Sequence, residues 1–218
     1  MGVGRVTDRT HQQRHQPDSG ADAPSRTALF AYGSLVSFAS AERTLGRPVE
    51  HAAVTRLTGW RRRWSQIRDN HATEKTFAHA ESGEVPAHCL GLNLEPDPSG
   101  SGPNGVLIEL SRAELERLAT REVRYDLIDV TEAIGDDHAA AAFSHVVAYT
   151  AKPENFAPTP PPDAVILAPY LRAVEAAFGS IGADQLELFR ETTGPTPVEV
   201  IEAILVRDEI PPGNPREW

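Results

Sequence analysis

Hydrophobic positions along the chain recur with two different periods, and both kinds of segment are interleaved in the first two-thirds of the sequence. Short apolar runs and alternating stretches, which are typical of β-strands, occur at residues 28–31, 54–67, 89–94, 106–110, 123–130 and 144–151. Pro, Ser and Gly crowd residues 95–105, and proline is frequent in residues 153–162, so both are expected as loops. This pattern predicts a mixed sheet or small barrel.

Helical spacing begins at Asp163 and dominates the last third of the sequence. One apolar face comprises Ala164, Leu167, Ala168, Leu171, Val174 and Phe178. Gly179 is placed to end this helix, and two further helices are expected to begin at Asp184 and Thr196. The fold class is therefore predicted as α+β, with a helical C-terminal third.

Two shorter helices are expected between the strands. Residues 37–45 are helix-like. Ser111 and Glu114 have the spacing of a capping box, which predicts a helix that ends near Glu122. Gly59, inside the second apolar stretch, is expected to mark a bend or bulge.

Length and composition are those of a globular chain with one large domain. The 218 residues, 40% of them hydrophobic, are enough to bury a core. The domain is expected over residues 27–207, followed by a tail at 208–218. Residues 1–26 are polar and lack the apolar stretch of a signal peptide, so they are expected to form a disordered leader on a cytoplasmic protein.

The net charge and the residue counts limit the classes of binding partner and of chemical site that the chain is expected to have. A net charge of −10 argues against nucleic acid or an anionic membrane as partner. The single cysteine, Cys89, excludes an internal disulfide and is expected as a buried hydrophobe rather than a nucleophile. The eight histidines are scattered, and the pair His11 and His15 lies in the leader, so neither a metal nor another cofactor is expected.

An arginine-rich stretch, residues 60–64, combines aromatic and basic side chains. Such a mixture can form a surface for single-stranded nucleic acid. The acidic chain favours the simpler interpretation, in which arginine stems cover one face of a sheet.

Two local features could carry chemistry. The turn Tyr32-Gly33-Ser34-Leu35 follows an apolar strand, and a turn of this kind presents clustered backbone N–H groups that can hold a carboxylate or phosphate. Glu122 is expected at the end of a helix, where a carboxylate faces the negative end of the helix dipole. The alternative for Glu122 is a surface residue paired with Arg121 or Arg124.

Taken together, these segments resemble the γ-glutamylcyclotransferase superfamily. Residues 29–35 are similar to the opening strand and substrate loop of that family, and residues 118–125 are similar to its arginine-glutamate element with a following tyrosine. Further similar segments, in the same order, are residues 57–64, 146–150 and 166–188, so the resemblance covers about residues 27–192.

This resemblance implies a fold, a reaction and a set of site residues. The fold is a small mixed β-barrel flanked by helices, and the reaction cyclises a γ-glutamyl group to 5-oxoproline with release of an amine. Glu122 would be the catalytic acid and base. The substrate-binding positions would be Tyr32, Gly33, Ser34, Leu35, Tyr125 and Tyr149. The ring of Tyr32 would either touch the ligand or anchor the loop.

The resemblance leaves the substrate open. Residues 36–38 and 72–75 depart from the segments found in the glutathione-acting, ChaC-type branch. The partner is expected to be a small γ-glutamyl molecule, which could be a peptide such as glutathione, a γ-glutamyl-amine or a γ-glutamyl-protected biosynthetic intermediate. The alternative function is a non-catalytic domain that binds γ-glutamyl groups or another protein. The oligomeric state is not indicated.

Overall fold

The computed structural model of the chain describes residue 1 and residues 25–50, 52–100, 102–135 and 140–215. Eleven strands and four α-helices lie in these ranges. The strands are β1 (Thr27–Ala31), β2 (Ala53–Arg56), β3 (Trp60–Asp69), β4 (Lys75–His79), β5 (His88–Pro96), β6 (Asn104–Leu110), β7 (Tyr125–Asp129), β8 (His145–Ala151), β9 (Ala164–Leu167), β10 (Glu199–Ile201) and β11 (Ala203–Asp208). The helices are α1 (Phe38–Leu45), α2 (Arg112–Arg121), α3 (Ala168–Ile181) and α4 (Ala183–Thr192).

The strands form three sheets. The first has the order β2-β6-β1-β8-β7, the second the order β10-β9-β5-β3, and the third consists of β11 and β4. In the described part of the chain none of these sheets closes into a barrel. The α+β class is therefore confirmed, and the small closed barrel implied by the resemblance is not found.

Strand β1 lies in the middle of the first sheet and carries the turn of interest at its end. It pairs antiparallel with β6 and parallel with β8. Leu29 and Phe30 are 2% and 0% exposed because both faces of the strand are covered. One hydrophobic cluster joins β1 to strands of the second sheet and to α3 and α4. The turn after β1 thus starts from a rigid, buried position.

Helix α2 forms as the sequence predicts. The Ser111 hydroxyl accepts from Glu114 N, and the Glu114 carboxylate accepts from Ser111 N at 2.7 Å, which completes the capping box. The helix ends at Arg121, and Glu122 is its C-terminal cap. Local sequence signals therefore position Glu122.

The C-terminal third differs from the prediction. Residues 164–167 form a strand, and α3 ends at Ile181 rather than at Gly179. The helix expected from Thr196 is wrong, because residues 199–208 form β10 and β11. Here β10 adds to β9 and β11 pairs with β4, and this pairing overrides the local helical pattern. The C-terminal third of the chain is helical only in α3 and α4.

Two further outcomes concern turns and termini. Gly59 has a φ of 76° and separates β2 from β3, which confirms the expected bend. The predicted leader, with His11 and His15, lies almost entirely outside the described residues, as does the end of the predicted tail. Among the helices of the described ranges, none has the length and apolar character needed to cross a membrane.

Candidate active site

Two adjoining cavities lie between the turn after β1, the end of α2, strand β5 and the first turn of α3. The turn cavity has a volume of about 50 Å³, and the strand cavity, which runs along β5, has about 120 Å³. The residues shared by both cavities are Ser34, Glu122, Tyr125 and Tyr170. All seven predicted site residues line the turn cavity. The structure thus brings together residues that are up to 117 positions apart in sequence.

The turn itself is a short 3-10 helix. Val36 N donates to Gly33 O at 3.0 Å, and Ser37 N donates to Ser34 O at 3.3 Å. The backbone N–H groups of Ser34 and Leu35 come before the first of these hydrogen bonds in the chain. No carbonyl within the turn therefore accepts a hydrogen bond from them. Ser37 then caps α1 by accepting from Ser40 N. Donor groups are consequently available at the wall of the turn cavity.

Gly33 keeps the cavity open on one side. A methyl group added there would lie 3.5 Å from Tyr170 Oη and 3.7 Å from Leu92 Cδ1. Those are ordinary contact distances, so a side chain would fit but would fill space between the turn and α3. The absence of a side chain allows a ligand to approach the backbone.

Glu122 is mostly buried at the wall of the two cavities. Its side chain is 12% exposed, and Oε1 accepts a hydrogen bond from Arg121 Nε at 3.0 Å. Arg124 instead forms an ion pair with Glu74. The pairing with Arg121 named in the alternative interpretation is therefore present, but the carboxylate is mostly covered rather than fully exposed.

Arg121 connects the two chemical features of the site. Its guanidinium donates to Ser34 Oγ at 3.0 Å, to Ser40 Oγ at 3.1 Å and to Thr44 Oγ1, besides its bond to Glu122. Only 7% of the side chain is exposed. One buried residue thus holds the turn, α1 and Glu122 in register. Sequence reasoning treated Arg121 as a surface partner, although its place three residues after Leu118 puts it on the buried helix face.

We expect Arg121→Met to lower activity and stability together. Loss of the guanidinium leaves the Glu122 carboxylate and the Ser34 hydroxyl without this hydrogen-bond donor. Removing one partner of a buried ion pair typically costs about 3 kcal/mol or more of stability. Thermal unfolding and the kcat of the reaction proposed below measure the two effects, and we expect kcat to fall at least about 10-fold. Arg117→Met is the matched control, because Arg117 also lies on α2 and bonds to α1 through Thr44 O at 3.0 Å. Equal losses in both variants would contradict a special role for Arg121.

The tyrosines differ in their contacts. The Tyr32 hydroxyl donates to Tyr149 O at 2.7 Å, so its ring anchors the turn to β8. The Tyr125 hydroxyl donates to Leu92 O at 2.9 Å. No described residue hydrogen-bonds to the Tyr149 hydroxyl, although the residue is only 6% exposed and lines the turn cavity.

Burial keeps two of these hydroxyls protonated. Burial, with Glu122 as a further cause, raises the pKa of Tyr32 well above its ordinary value and the pKa of Tyr149 to about 12. At neutral pH Tyr149 is thus a neutral donor that faces the cavity.

Tyr170, at the start of α3, is a cavity residue that sequence reasoning missed. It lines both cavities and packs edge-on against Trp64, with ring centroids 6.0 Å apart. The available sequence signal was weak, since Tyr170 lies on a helix that is remote in sequence from the turn.

The strand cavity extends from Glu122 along β5. A methyl group at Gly91 would come within 2.6 Å of Gln66 Oε1 and would displace this side-chain amide, which lines the cavity. Cys89 lies further along and is 2% exposed. Burial raises the pKa of its thiol, which agrees with the expected hydrophobic role. The described residues include no cluster of three or more His, Cys, Asp or Glu side chains that could hold a metal ion.

Arg62 corrects the interpretation of the arginine-rich stretch. It is 0% exposed, with its guanidinium against the stacked rings of Phe178 and Phe189, rather than on a sheet surface. Its hydrogen bonds reach Tyr32 O at 3.2 Å, Asn104 O at 2.7 Å, Asn104 Oδ1 at 3.0 Å, Phe189 O at 3.3 Å, Thr192 Oγ1 at 3.2 Å and Thr193 Oγ1 at 2.8 Å. It supports the turn through its hydrogen bond to the turn backbone. The neighbouring Arg61 and Arg63 instead form ion pairs with Glu95.

Comparison with known proteins identifies the fold. No family model matches the chain, and no curated protein matches it. A solved structure of a γ-glutamyl cyclotransferase has a TM-score of 0.50 at 14% identity and covers 79% of this chain and 94% of the other. An uncharacterized protein from Homo sapiens has a TM-score of 0.49 at 16% identity, with coverage of 79% and 94%. YkqA from Bacillus subtilis has a TM-score of 0.48 at 16% identity, with coverage of 76% and 53%.

Proposed function

We propose that this chain, which has the fold of the γ-glutamylcyclotransferase-like superfamily, is an enzyme that cyclises the γ-glutamyl group of a small peptide or amine to 5-oxoproline. One observation carries the proposal. The turn of residues 32–35 and the carboxylate of Glu122 line the same cavity, and Arg121 bonds to both. A donor-rich turn beside a buried carboxylate suits a reaction that needs positioning and proton transfer.

The reaction is an internal acyl transfer. The α-amine nitrogen of the γ-glutamyl group attacks its own γ-carbonyl carbon, a new C–N bond closes the ring, and the original amide C–N bond breaks. Glu122 accepts the proton that the attacking nitrogen loses and donates it to the leaving nitrogen, so no water is consumed. Proton transfer of this kind contributes about 10²–10⁴-fold to a rate.

Positioning is the main task of the remaining residues. Backbone N–H groups of Gly33, Ser34 and Leu35 would bind the α-carboxylate of the substrate. Holding both reacting groups in the curled conformer can lower the barrier by about 7–11 kcal/mol in favourable cases. The narrow turn cavity, about 50 Å³ in volume, suits a folded γ-glutamyl group.

The tyrosines would complete the site. The Tyr149 hydroxyl, which faces the cavity without a described partner, would donate to the oxyanion that forms at the γ-carbonyl. Tyr125, which donates its proton to Leu92 O, would line the pocket beside the substrate amine. Tyr32 would act through the position of the turn.

The proposal also includes the bounds of the domain and its location. We place the activity in residues 27–207, with a cytoplasmic location and a small γ-glutamyl molecule as the partner. The contacts that the leaving amine makes in the strand cavity would determine which substrate the enzyme accepts.

The test is to offer the purified protein a panel of γ-glutamyl peptides and γ-glutamyl-amines and to measure 5-oxoproline. Release of 5-oxoproline from at least one compound is expected, with one equivalent of free amine. Binding without turnover across the panel would favour the alternative, a non-catalytic γ-glutamyl-binding domain.

A further inference from the structure

The side-chain amide of Gln66 lies in the wall of the strand cavity. Gln66 is on β3 and is only 5% exposed. A shift in the register of β3 against β5, between Trp64 and Gln66, places Gln66 opposite Gly91. Irregularities of this kind re-aim side chains and are frequent beside active sites. Gln66 is therefore a buried polar residue on the side of the cavity that the leaving amine of the proposed reaction would occupy.

One hydrogen bond fixes which end of this amide faces the cavity. Gln66 Nε2 donates to Ile67 O at 2.8 Å, and a carbonyl oxygen can only accept, so the amide nitrogen has to be on that side. The amide oxygen lies instead beside Gly91, where an added methyl group would come within 2.6 Å of it. The absence of a side chain at Gly91 leaves this oxygen room.

Gln66 Oε1 is an acceptor without a donor. Over the described ranges, no side chain or backbone N–H donates a hydrogen bond to it. His88 Nδ1 is the only fully enclosed side-chain polar atom without a partner in the same ranges, so Oε1 is open to the cavity that Gln66 lines. An amide oxygen in a nearly buried residue is normally satisfied. A ligand that brings an N–H to this point would satisfy it.

Gln66 and Tyr149 lie on opposite sides of the junction between the two cavities. Of these cavities, Tyr149 lines the turn cavity alone and Gln66 the strand cavity alone, whereas Glu122 and Tyr125 line both. The Tyr125 hydroxyl borders the same face of Gly91 as Gln66 Oε1, because a methyl group there would lie 3.4 Å from it. The oxygen of Gln66 is therefore close to the junction.

An amide bound across this junction would direct its two polar groups to opposite sides. The C=O and N–H of a trans secondary amide point in opposite directions. In the proposed reaction the γ-carbonyl oxygen of the substrate points to the Tyr149 hydroxyl, in the turn cavity. The N–H of the same amide then points into the strand cavity, where Gln66 Oε1 lies.

We infer that Gln66 is a specificity-determining residue, whose Oε1 accepts a hydrogen bond from the N–H of the γ-glutamyl amide. The inference rests on the proposed function and narrows its substrate class. It selects γ-glutamyl derivatives of primary amines, which have this N–H, and it disfavours γ-glutamyl esters and γ-glutamyl derivatives of secondary amines. The bond strengthens as the leaving nitrogen gains a proton and positive charge, so part of its effect belongs to kcat.

The test compares amides with esters of nearly the same shape that lack the N–H. γ-Glutamylalanine is paired with γ-glutamyl-lactate, and γ-glutamylethylamide is paired with the γ-ethyl ester of glutamate. The measured quantity is kcat/KM for 5-oxoproline release, after subtraction of the uncatalysed rate. In Gln66→Met we expect the value for the amide to fall about 10-fold or more and the value for the ester to change less than about 3-fold. An equal change for amide and ester in both pairs would overturn the inference.

Asn155→Met is the matched control for the fold of β3. Asn155 Nδ2 donates to the same carbonyl as Gln66, Ile67 O, at 3.1 Å, but Asn155 lines neither cavity. We expect its ratio of amide to ester kcat/KM to stay within about twofold of wild type. A ratio that falls as far in Asn155→Met as in Gln66→Met would trace the effect to the strand and overturn the inference.

Gly91→Ala tests the same contact from the opposite strand. The added methyl group would displace Gln66 Oε1, since the two would be only 2.6 Å apart. We expect the amide-to-ester ratio to fall at least about 3-fold in this variant, and to fall no further than in Gln66→Met when the two substitutions are combined. An unchanged ratio in Gly91→Ala, or additive falls in the double variant, would overturn the inference.

The same measurements separate this inference from the proposed function. If no compound of these pairs or of the panel above yields 5-oxoproline beyond the uncatalysed rate, both are overturned. If the amides are turned over and Gln66→Met leaves their kcat/KM unchanged, only the role of Gln66 is overturned. A selective loss of amide turnover in Gln66→Met, with wild-type ratios in Asn155→Met, is the result that we expect.

Discussion

Glu122→Gln is expected to lower kcat for 5-oxoproline release by about 10²–10⁴-fold, while the protein stays folded. Glutamine has nearly the same shape and can still accept the hydrogen bond from Arg121 Nε, so the local structure is retained. It cannot take a proton from the attacking amine. The loss should therefore appear in kcat, with a smaller change in KM.

Glu116→Gln is the matched control for this substitution. Glu116 lies on the same helix, its side chain is 75% exposed, and Arg112 is its partner one turn away. We expect kcat within about twofold of wild type and an unchanged thermal unfolding midpoint for this variant, because surface substitutions rarely exceed about 0.5 kcal/mol. Equal activity of Glu122→Gln and wild type would remove Glu122 from the mechanism.

Arg62→Met is expected to destabilise the fold by about 3 kcal/mol. Burial lowers the pKa of Arg62 to about 9, so the guanidinium is still cationic at neutral pH. Methionine is unbranched like the stem of arginine but shorter and apolar, and it leaves the two acceptors of Asn104 and the carbonyl of Tyr32 without their donor. Each orphaned buried acceptor costs about 1–3 kcal/mol, and the relief from burying a charge offsets only part of that.

Thermal unfolding measures this effect. For a chain of this size, a loss of about 3 kcal/mol lowers the midpoint by about 6–12 °C. Arg63→Met is the control on the same strand, because the Arg63 side chain is 33% exposed and its ion-pair partner Glu95 would retain the ion pair with Arg61. A change of less than about 2 °C in Arg62→Met would show that the buried hydrogen bonds do not support the turn as we describe.

The parts of the site that sequence reasoning found depend on local signals. Gly33 and Ser34 follow a buried strand, and Glu122 follows a capped helix, so neighbouring residues decide both conformations. The order of motifs then indicated that the turn and Glu122 act together. The roles of the seven site residues stay predictions, although all of them line one cavity.

Long-range contacts account for what the sequence did not reveal. Arg121 meets Ser34 across 87 residues, and Arg62 meets Phe189 across 127, so no local pattern reports either contact. The C-terminal strands were missed for the same reason. Residues 199–208 have apolar positions compatible with a helix, but partners in β9 and β4 supply the hydrogen bonds that make them strands.

The most direct test of cyclisation follows the atoms. A γ-glutamyl peptide labelled with ¹⁵N at its α-amine is incubated with the enzyme in H₂¹⁸O, and the products are analysed by mass spectrometry. Internal attack predicts 5-oxoproline with ¹⁵N in the ring, no ¹⁸O and an equal amount of released amine. Glutamate carrying one ¹⁸O in its γ-carboxylate would reveal hydrolysis and contradict the account.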